Sequence, residues 1–310
     1  MKKIEIKSVN ISEKKGTIKV PVDVIELCET GVKGDAHAGA WHRMVSLLAI
    51  ESVEKFEHKA KRKIAFGEFA ENITTQGVLL YETHPLDRFE GNGIELEVTQ
   101  IGKECHGDSC AIFREVGNCV MPKEGIFARV IKGGKLKAGD TMEYKPRVHK
   151  IHIITLSDRA FAGEYEDLSG PAIENNLKKF FDTEKRVCEI QRTVIADDSE
   201  ALETLIVHSV NAGFDAIFTT GGTGVGPRDI TPETVWPLLD KDIPGIMENI
   251  RWKSAQKNPN ALLSRSIAGV IGKTQIYTLP GSVKACNEYV DEILKTYIHL
   301  LLMLCKVDAH

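Results

Sequence analysis

Ala216-Ile217-Phe218-Thr219-Thr220-Gly221-Gly222-Thr223-Gly224-Val225-Gly226-Pro227-Arg228-Asp229 decides how the second half of this chain folds. The opening run is short and apolar and reads as a buried strand. The four glycines after it let the backbone turn several N–H groups toward one point, which suits a phosphate. Thr231-Pro232-Glu233 then opens a helix with Pro in its first turn. No Gly-Lys-Ser/Thr follows, so this is not a Walker A loop, nor does it fit the G-x-G-x-x-G dinucleotide spacing. A tight strand-to-helix connection would use the same glycines; Arg228 and Asp229 favour the ligand reading.

Outward from this loop, strand and helix patterns alternate. Strand Ile151 to Leu156 precedes a helix Ala172 to Phe181; strand Glu189 to Ile195 precedes a helix with Ser199 as candidate N-cap, Leu202, Leu205 and Ile206 as its apolar stripe and Gly213 as its stop; strand Gln275 to Leu279 precedes a last helix. Strands separated by helices predict an α/β unit over residues 146–310, with a largely parallel sheet covered by helices. Ligands in such sheets bind at the carboxyl ends of the strands. Asp197 stands at one such end: Asp198 or Ser199 serves as helix cap, and Asp197 is left over. With Asp229 it forms a candidate Mg2+ site, where a cation bridging phosphate oxygens would assist phosphoryl or nucleotidyl transfer. Ser157 and Pro280-Gly281-Ser282 sit at the same edge as anion contacts near helix starts, and Ser264 and Arg265 are further phosphate donors.

Pro146 marks a linker, and residues 1–145 read differently. Short strands (Lys3 to Val9, a stretch near Ile18 to Val24, Ile94 to Val98, Ile126 to Ile131) are punctuated by Gly91-Asn92-Gly93 and Gly133-Gly134, which predicts a β-rich barrel or sandwich. Its clearest helix carries Ala49, Val53, Phe56 and Ala60 on one face. A loop dense in His37, His42 and Arg43 precedes that helix, and Cys105, Cys110 and Cys119 follow later. The Cys spacing lacks the paired hooks of a structural zinc site. A reactive thiol at Cys105, favoured by Arg43 or His37 nearby, and three buried cysteines acting as small hydrophobes both remain open.

At 310 residues, with 42% hydrophobic and 27% charged residues and a net charge of -4, disordered, collagenous and coiled-coil classes find no support. Neither half has the dense cationic face of a nucleic-acid binder. The alternating start MKKIEIKSVN has no apolar core of a signal peptide, and the apolar run His299 to Cys305 is too short to span a bilayer, so a cytoplasmic protein with no membrane partner is expected. Seven cysteines in such a chain point to reduced thiols.

Residues 148–310 resemble the MogA/MoaB molybdopterin adenylyltransferase family, also found as the G domain of gephyrin. The motifs are Thr219-Thr220-Gly221-Gly222-Thr223-Gly224, Arg228-Asp229-Ile230-Thr231-Pro232-Glu233, Ile243-Pro244-Gly245, Leu263-Ser264-Arg265 and Leu279-Pro280-Gly281-Ser282. The resemblance implies Mg2+-dependent transfer of AMP from ATP to the terminal phosphate of molybdopterin, with Asp197 and Asp229 as the functional aspartates, and a trimer. Residues 3–145 resemble a MOSC domain, a β-barrel tied to molybdenum cofactor binding and sulfur transfer, through Val32-Lys33-Gly34-Asp35, Arg43-Met44-Val45-Ser46-Leu47, Gly67-Glu68-Phe69-Ala70-Glu71-Asn72-Ile73, Cys105 and Gly125-Ile126-Phe127-Ala128-Arg129-Val130. Gly102-Lys103-Glu104-Cys105 replaces that family's usual Arg-x-Pro-Cys, so Cys105 carries sulfur, ligates molybdenum or does neither. The expectation is an enzyme of molybdenum cofactor synthesis whose first unit binds or sulfur-modifies the cofactor and which has other molybdenum cofactor enzymes as partners. The competing readings are a non-catalytic carrier or sensor of the pterin cofactor and a sulfurtransferase acting through Cys105.

Overall fold

The computed structural model describes residues 2–103 and 119–307. Cys105 and Cys110 lie outside the described residues. The chain divides into two compact units, one running to Arg147 and including Val307, the other Val148–Lys306. The sequence reading placed the break two residues earlier, at Lys145/Pro146.

The first unit contains β1 (Lys3–Ile11), β2 (Val20–Val22), β3 (Ile25–Cys28), β4 (Gly31–Val32), β5 (Val45–Ala49), β6 (Ile73–Gln76), β7 (Arg88–Gly91), β8 (Ile94–Ile101), β9 (Ile126–Lys132), β10 (Gly134–Leu136) and β11 (Thr141–Lys145). Seven of them pair in the order β11-β7-β8-β9-β5-β6-β1, and β1 pairs back onto β11, so the sheet closes into a barrel and these strands have no free edge. Alternating residues of β1 (Ile4, Ile6) meet Leu47, Phe89, Leu96 and Met142 in its interior. The helix Ile50–Ala60 lies outside, packing Val53 and Phe56 with Phe69 and Phe127. Strand β5 corrects the sequence reading, in which the His- and Arg-rich loop runs through Trp41 to Leu47 and the helix begins at Ala49: all five of its residues are buried, and it pairs with both β6 and β9. A strand buried on both faces loses the period-two alternation by which strands are recognised.

The second unit has a six-stranded sheet in the order β13-β12-β14-β17-β16-β15, built from β12 (Val148–Leu156), β13 (Val187–Ile195), β14 (Ala216–Thr220), β15 (Lys241–Asp242), β16 (Ala268–Ile271) and β17 (Thr274–Leu279). The first four strands in that order are parallel, and β16 and β15 add an antiparallel edge. One face is covered by helices Ser169–Thr183, Pro244–Ala255 and Val283–Leu304, the other by Ser199–Asn211 and Thr231–Val235. The chain leaves central β12 for β13 on one side and then crosses to β14 on the other, which makes the carboxyl end of β12 a topological switch point. Register puts Leu156 opposite Ile195, Thr155 opposite Thr220, and Thr220 opposite Leu279, so four connections leave the sheet along one edge.

Within this sheet His152 is 1% exposed, its ring nitrogens 2.7 Å from Ser209 Oγ and 2.8 Å from Thr193 Oγ1. Burial, aided by the charge of His208, lowers its pKa to about 4. The unfolded chain takes up this proton near the ordinary value of about 6.5. The folded state therefore loses stability as pH falls from about 6.5 toward 4. We expect the loss to reach about 2 kcal/mol after solvent screening. Urea midpoints at pH 7.5, 6 and 5 should fall more steeply for the native chain than for His152→Gln; equal slopes would refute this.

Candidate functional site

The first connection begins at Ser157, whose hydroxyl accepts from Ala160 N at 3.3 Å and caps the short helix Asp158–Phe161. Asp158 then joins two strand ends. Its Oδ1 accepts from Asp197 N at 2.9 Å, and its Oδ2 forms an ion pair with Arg228 Nη2, which also stands 3.6 Å from Asp197 Oδ2. One guanidinium thus stands against carboxylates from the ends of β12 and β13. Asp198 caps the helix Ser199–Asn211 through Ala201 N at 2.9 Å, in place of Ser199, and leaves Asp197 uncommitted to the helix. Burial and then the negative charge of Asp229 push the Asp197 carboxyl above the usual aspartate range. The two aspartates picked out by the sequence are therefore within electrostatic reach of each other.

The glycine loop is fixed by its surroundings. Gly221 (φ +102°) and Gly222 (φ +63°) adopt left-handed backbone conformations, and Thr231 donates its hydroxyl to Gly221 O at 2.8 Å. Asp229 folds back so that its Oδ2 accepts from Gly226 N at 2.7 Å. A Cβ on Gly224 would lie 2.7 Å from the same oxygen, so a side chain there would displace the carboxylate. Arg265 braces the loop from β16's side: its N donates to Thr223 O at 2.9 Å, Nε to Gly224 O at 2.6 Å and Nη2 to Asp229 O at 3.1 Å, while Nη1 pairs with Glu233. All three of its guanidinium nitrogens are engaged by the loop and the helix after it, so this residue shapes the cradle.

Pro280 O accepts from Thr220 Oγ1 at 2.9 Å and from Cys286 Sγ at 3.0 Å, which ties the last connection to the end of β14. Gly281 lies so close that a Cβ on it would meet Gly221 Cα at 3.5 Å. Burial pushes the Cys286 thiol up to about 11, so it acts here as a protonated packing group. Ser282 caps the helix Val283–Leu304 through Ala285 N at 3.3 Å. Ser264 is engaged by Ser266 Oγ at 3.0 Å and Tyr289 OH at 3.2 Å.

Two residues carry no signal in the sequence that marks them as part of the site. Asp158, next to Ser157, links Asp197 to Arg228. Asp167 accepts from Thr155 Oγ1 at 2.9 Å through Oδ2, and from Ser169 N, Ser169 Oγ and Gly170 N through Oδ1. It anchors the helix Ser169–Thr183 beside the carboxyl end of β12; an Asp ahead of Ser-Gly-Pro is the local signal for that helix start.

In the first unit His37 and Arg43 do come together, lining a recess of about 130 Å³ with Trp41 and Lys103. Arg43 packs over Trp41 and Phe127, 5.3 and 5.8 Å from the ring centres, and its Nε is 3.2 Å from His42 Nε2. Behind His37 lies the buried pair Lys19–Asp35. Burial alone would raise the Asp35 carboxyl, but hydrogen bonds from His37, Lys19 and Ser12 N outweigh it and hold Asp35 below the usual range. No group of three or more His, Cys, Asp or Glu that could hold a metal is found among the described residues of the chain.

Comparison with known proteins gives two family matches: a probable molybdopterin binding domain over residues 152–299 and a MOSC domain over residues 34–143. A molybdopterin adenylyltransferase of Helicobacter pylori is 36% identical over 144 residues, covering 46% of this chain and 80% of that protein. Gephyrin of Dictyostelium discoideum is 37% identical over 156 residues, covering 49% of this chain, and the chain spans 22% of gephyrin's length. A solved structure of MogA is 35% identical with a TM-score of 0.47, covering 50% of this chain and 99% of that one.

Proposed function

The chain belongs to the family of probable molybdopterin binding domains through residues 152–299, beside a MOSC domain at residues 34–143, and on that premise we propose that its second unit transfers AMP from ATP to molybdopterin. A terminal phosphate oxygen of molybdopterin attacks the α-phosphorus of ATP; the bond from that phosphorus to the bridging oxygen breaks, and pyrophosphate leaves with the electron pair. No redox partner is required. What supports the reading is the convergence at the switch point of Asp158, Asp197 and Arg228 from separate connections, with Asp229 next in the chain folded onto the glycine loop through Gly226 N at 2.7 Å. Two hard carboxylates beside a phosphate cradle fit Mg2+, which takes one or two protein carboxylates and completes its shell with water and substrate phosphates. Mg2+ bound there would neutralise charge developing on the phosphates.

The chain's own groups do the rest. Backbone N–H groups of the stretch Gly222 to Val225, between the two loop ends already fixed by Leu279 and Asp229, orient the phosphates, and Arg265 keeps the loop in shape. Arg228 pairs with Asp158 and Asp197 before substrate arrives and turns to the transferred phosphate afterwards. The first unit holds or sulfur-modifies the pterin product, and one chain keeps the two at high effective concentration. We extend the proposal to a cytoplasmic trimer, an assembly that light scattering reads directly; Trp252, Leu262 and Leu263 are among the exposed large apolar residues of the second unit.

The test incubates the full chain with molybdopterin, ATP and Mg2+ and follows pyrophosphate and adenylylated pterin, with Asp229→Asn as control. Asn keeps an oxygen for Gly226 N–H and removes the charge. Product that disappears in the variant supports the enzyme; bound pterin with no product in the native chain moves the assignment to a carrier.

A further inference from the structure

The connection that leaves the carboxyl end of β12 is pinned at both ends. At its start Ser157 caps the helix Asp158–Phe161, and at its finish Asp167 accepts from Thr155 Oγ1, in β12 itself, at 2.9 Å. Between them Gly163 (φ +74°) turns the chain, with its N donating to Ala160 O at 3.1 Å and Glu164 N donating to Arg159 O at 2.9 Å. That turn brings Tyr165 back to the strand end. Its hydroxyl stands 3.4 Å from Ser157 Oγ, and the Arg159 guanidinium lies over its ring, 5.1 Å from the centre.

The ring is held in place and is nonetheless 46% exposed, so it forgoes much of the stabilisation that burial would give it. Its location is the same strand end at which Asp158 pairs with Arg228. Phosphate chemistry has no use for an aromatic ring. Both substrates of the proposed reaction, however, carry a planar nitrogen heterocycle a short linker away from phosphate: adenine across a ribose in ATP, the pterin across a pyran ring and a methylene in molybdopterin. Aromatic side chains hold such rings by stacking on their faces. A guanidinium on one face of the tyrosine fixes the plane of the ring in advance, which lowers the cost of ordering it when a second ring arrives.

We propose that Tyr165, backed by Arg159, is the stacking surface for the heterocycle of a phosphate-bearing substrate and thereby a specificity-determining residue of the second unit, an assignment that rests on reading this unit as an adenylyltransferase.

Binding to the full-length chain is measured by calorimetric titration in the presence of Mg2+ with ATP, molybdopterin and inorganic tripolyphosphate, each alone so that no turnover occurs. Tyr165→Leu removes the ring and keeps an apolar side chain, whereas Tyr165→Phe keeps the ring and loses the hydroxyl. We expect Tyr165→Leu to weaken ATP, molybdopterin or both about tenfold, and Tyr165→Phe to bind the same ligands within about twofold of the native chain. Tripolyphosphate has no ring and should bind all three chains alike. A loss confined to ATP identifies adenine as the stacked ring, a loss confined to molybdopterin identifies the pterin, and a loss of both means that each meets the ring. Affinities for ATP and molybdopterin unchanged in Tyr165→Leu overturn the proposal, as does a Tyr165→Phe chain as weak as Tyr165→Leu. A parallel fall in tripolyphosphate affinity also overturns it, because Tyr165 would then support the connection and not the ring. Pyrophosphate release by the native chain is followed separately. Release together with unaltered binding in Tyr165→Leu removes this assignment alone, whereas a native chain that binds neither ATP nor molybdopterin removes it along with the transfer reading.

Discussion

Asp197→Asn is expected to lower the rate of adenylyl transfer by about a hundredfold or more while leaving the melting temperature equal to or above that of the native chain. The two effects have one origin. Asp197 is pressed toward its neutral form by burial and by Asp229, so at neutral pH its ionised carboxyl sits less comfortably in the fold than in the unfolded chain. A raised carboxyl pKa favours the folded state at low pH, and that benefit is lost as pH rises through the raised value. Asn resembles the neutral form and escapes the penalty. It also removes the charge on which cation binding depends, so Mg2+ affinity should fall in calorimetric titration whether or not substrate is present. In the native chain that affinity should already decline at a pH above the ordinary aspartate range. A variant that loses activity and stability together would mean Asp197 is a structural group and would sink the assignment.

How much of this site is visible without coordinates depends on where each contact lies along the chain. Strand β14, the glycine loop and the helix opening at Thr231 are contiguous, and every signal for them is local: apolar run, glycines, proline. Asp197 emerged by elimination because its neighbours suffice to cap the helix, and Asp198 does so. Arg265 was read as a phosphate donor, yet it bonds to Thr223, Gly224 and Asp229, about 40 residues earlier in the chain; its actual partners follow from β16 and β17 turning back along the sheet. Asp158 was passed over for the same reason, since its partners Asp197 and Arg228 come from other strand ends. The barrel was legible as a class from its turns, whereas β5, with no polar face, and β7 and β11, which are short and charged, needed their sheet partners to be recognised.

Gly221→Ala should be the most damaging single-methyl change in the second unit, destabilising it by about 3 kcal/mol and lowering its melting temperature by about 10 °C. Two separate penalties meet at this residue. Its φ of +102° lies where a side chain is strained wherever it occurs, and an added Cβ would stand 2.3 Å from the Leu156 carbonyl oxygen, which belongs to the central strand and has no freedom to retreat. Gly213 separates the two: it has φ +74° with nothing within 4 Å of an added Cβ, so Gly213→Ala carries the conformational penalty alone, about 1 kcal/mol. Urea unfolding of both variants measures the difference as the clash itself. Any relief of that clash has to move Gly221 away from Leu156. Gly221 N donates to Leu279 O at 3.0 Å and its carbonyl accepts from Thr231, so such a shift drags the cradle away from Asp197. Gly221→Ala should therefore lose adenylyl transfer even at temperatures where it remains folded, while Gly213→Ala keeps it. Equal destabilisation by the two substitutions would show that the sheet edge yields, and that the loop is held less rigidly than its hydrogen bonds imply.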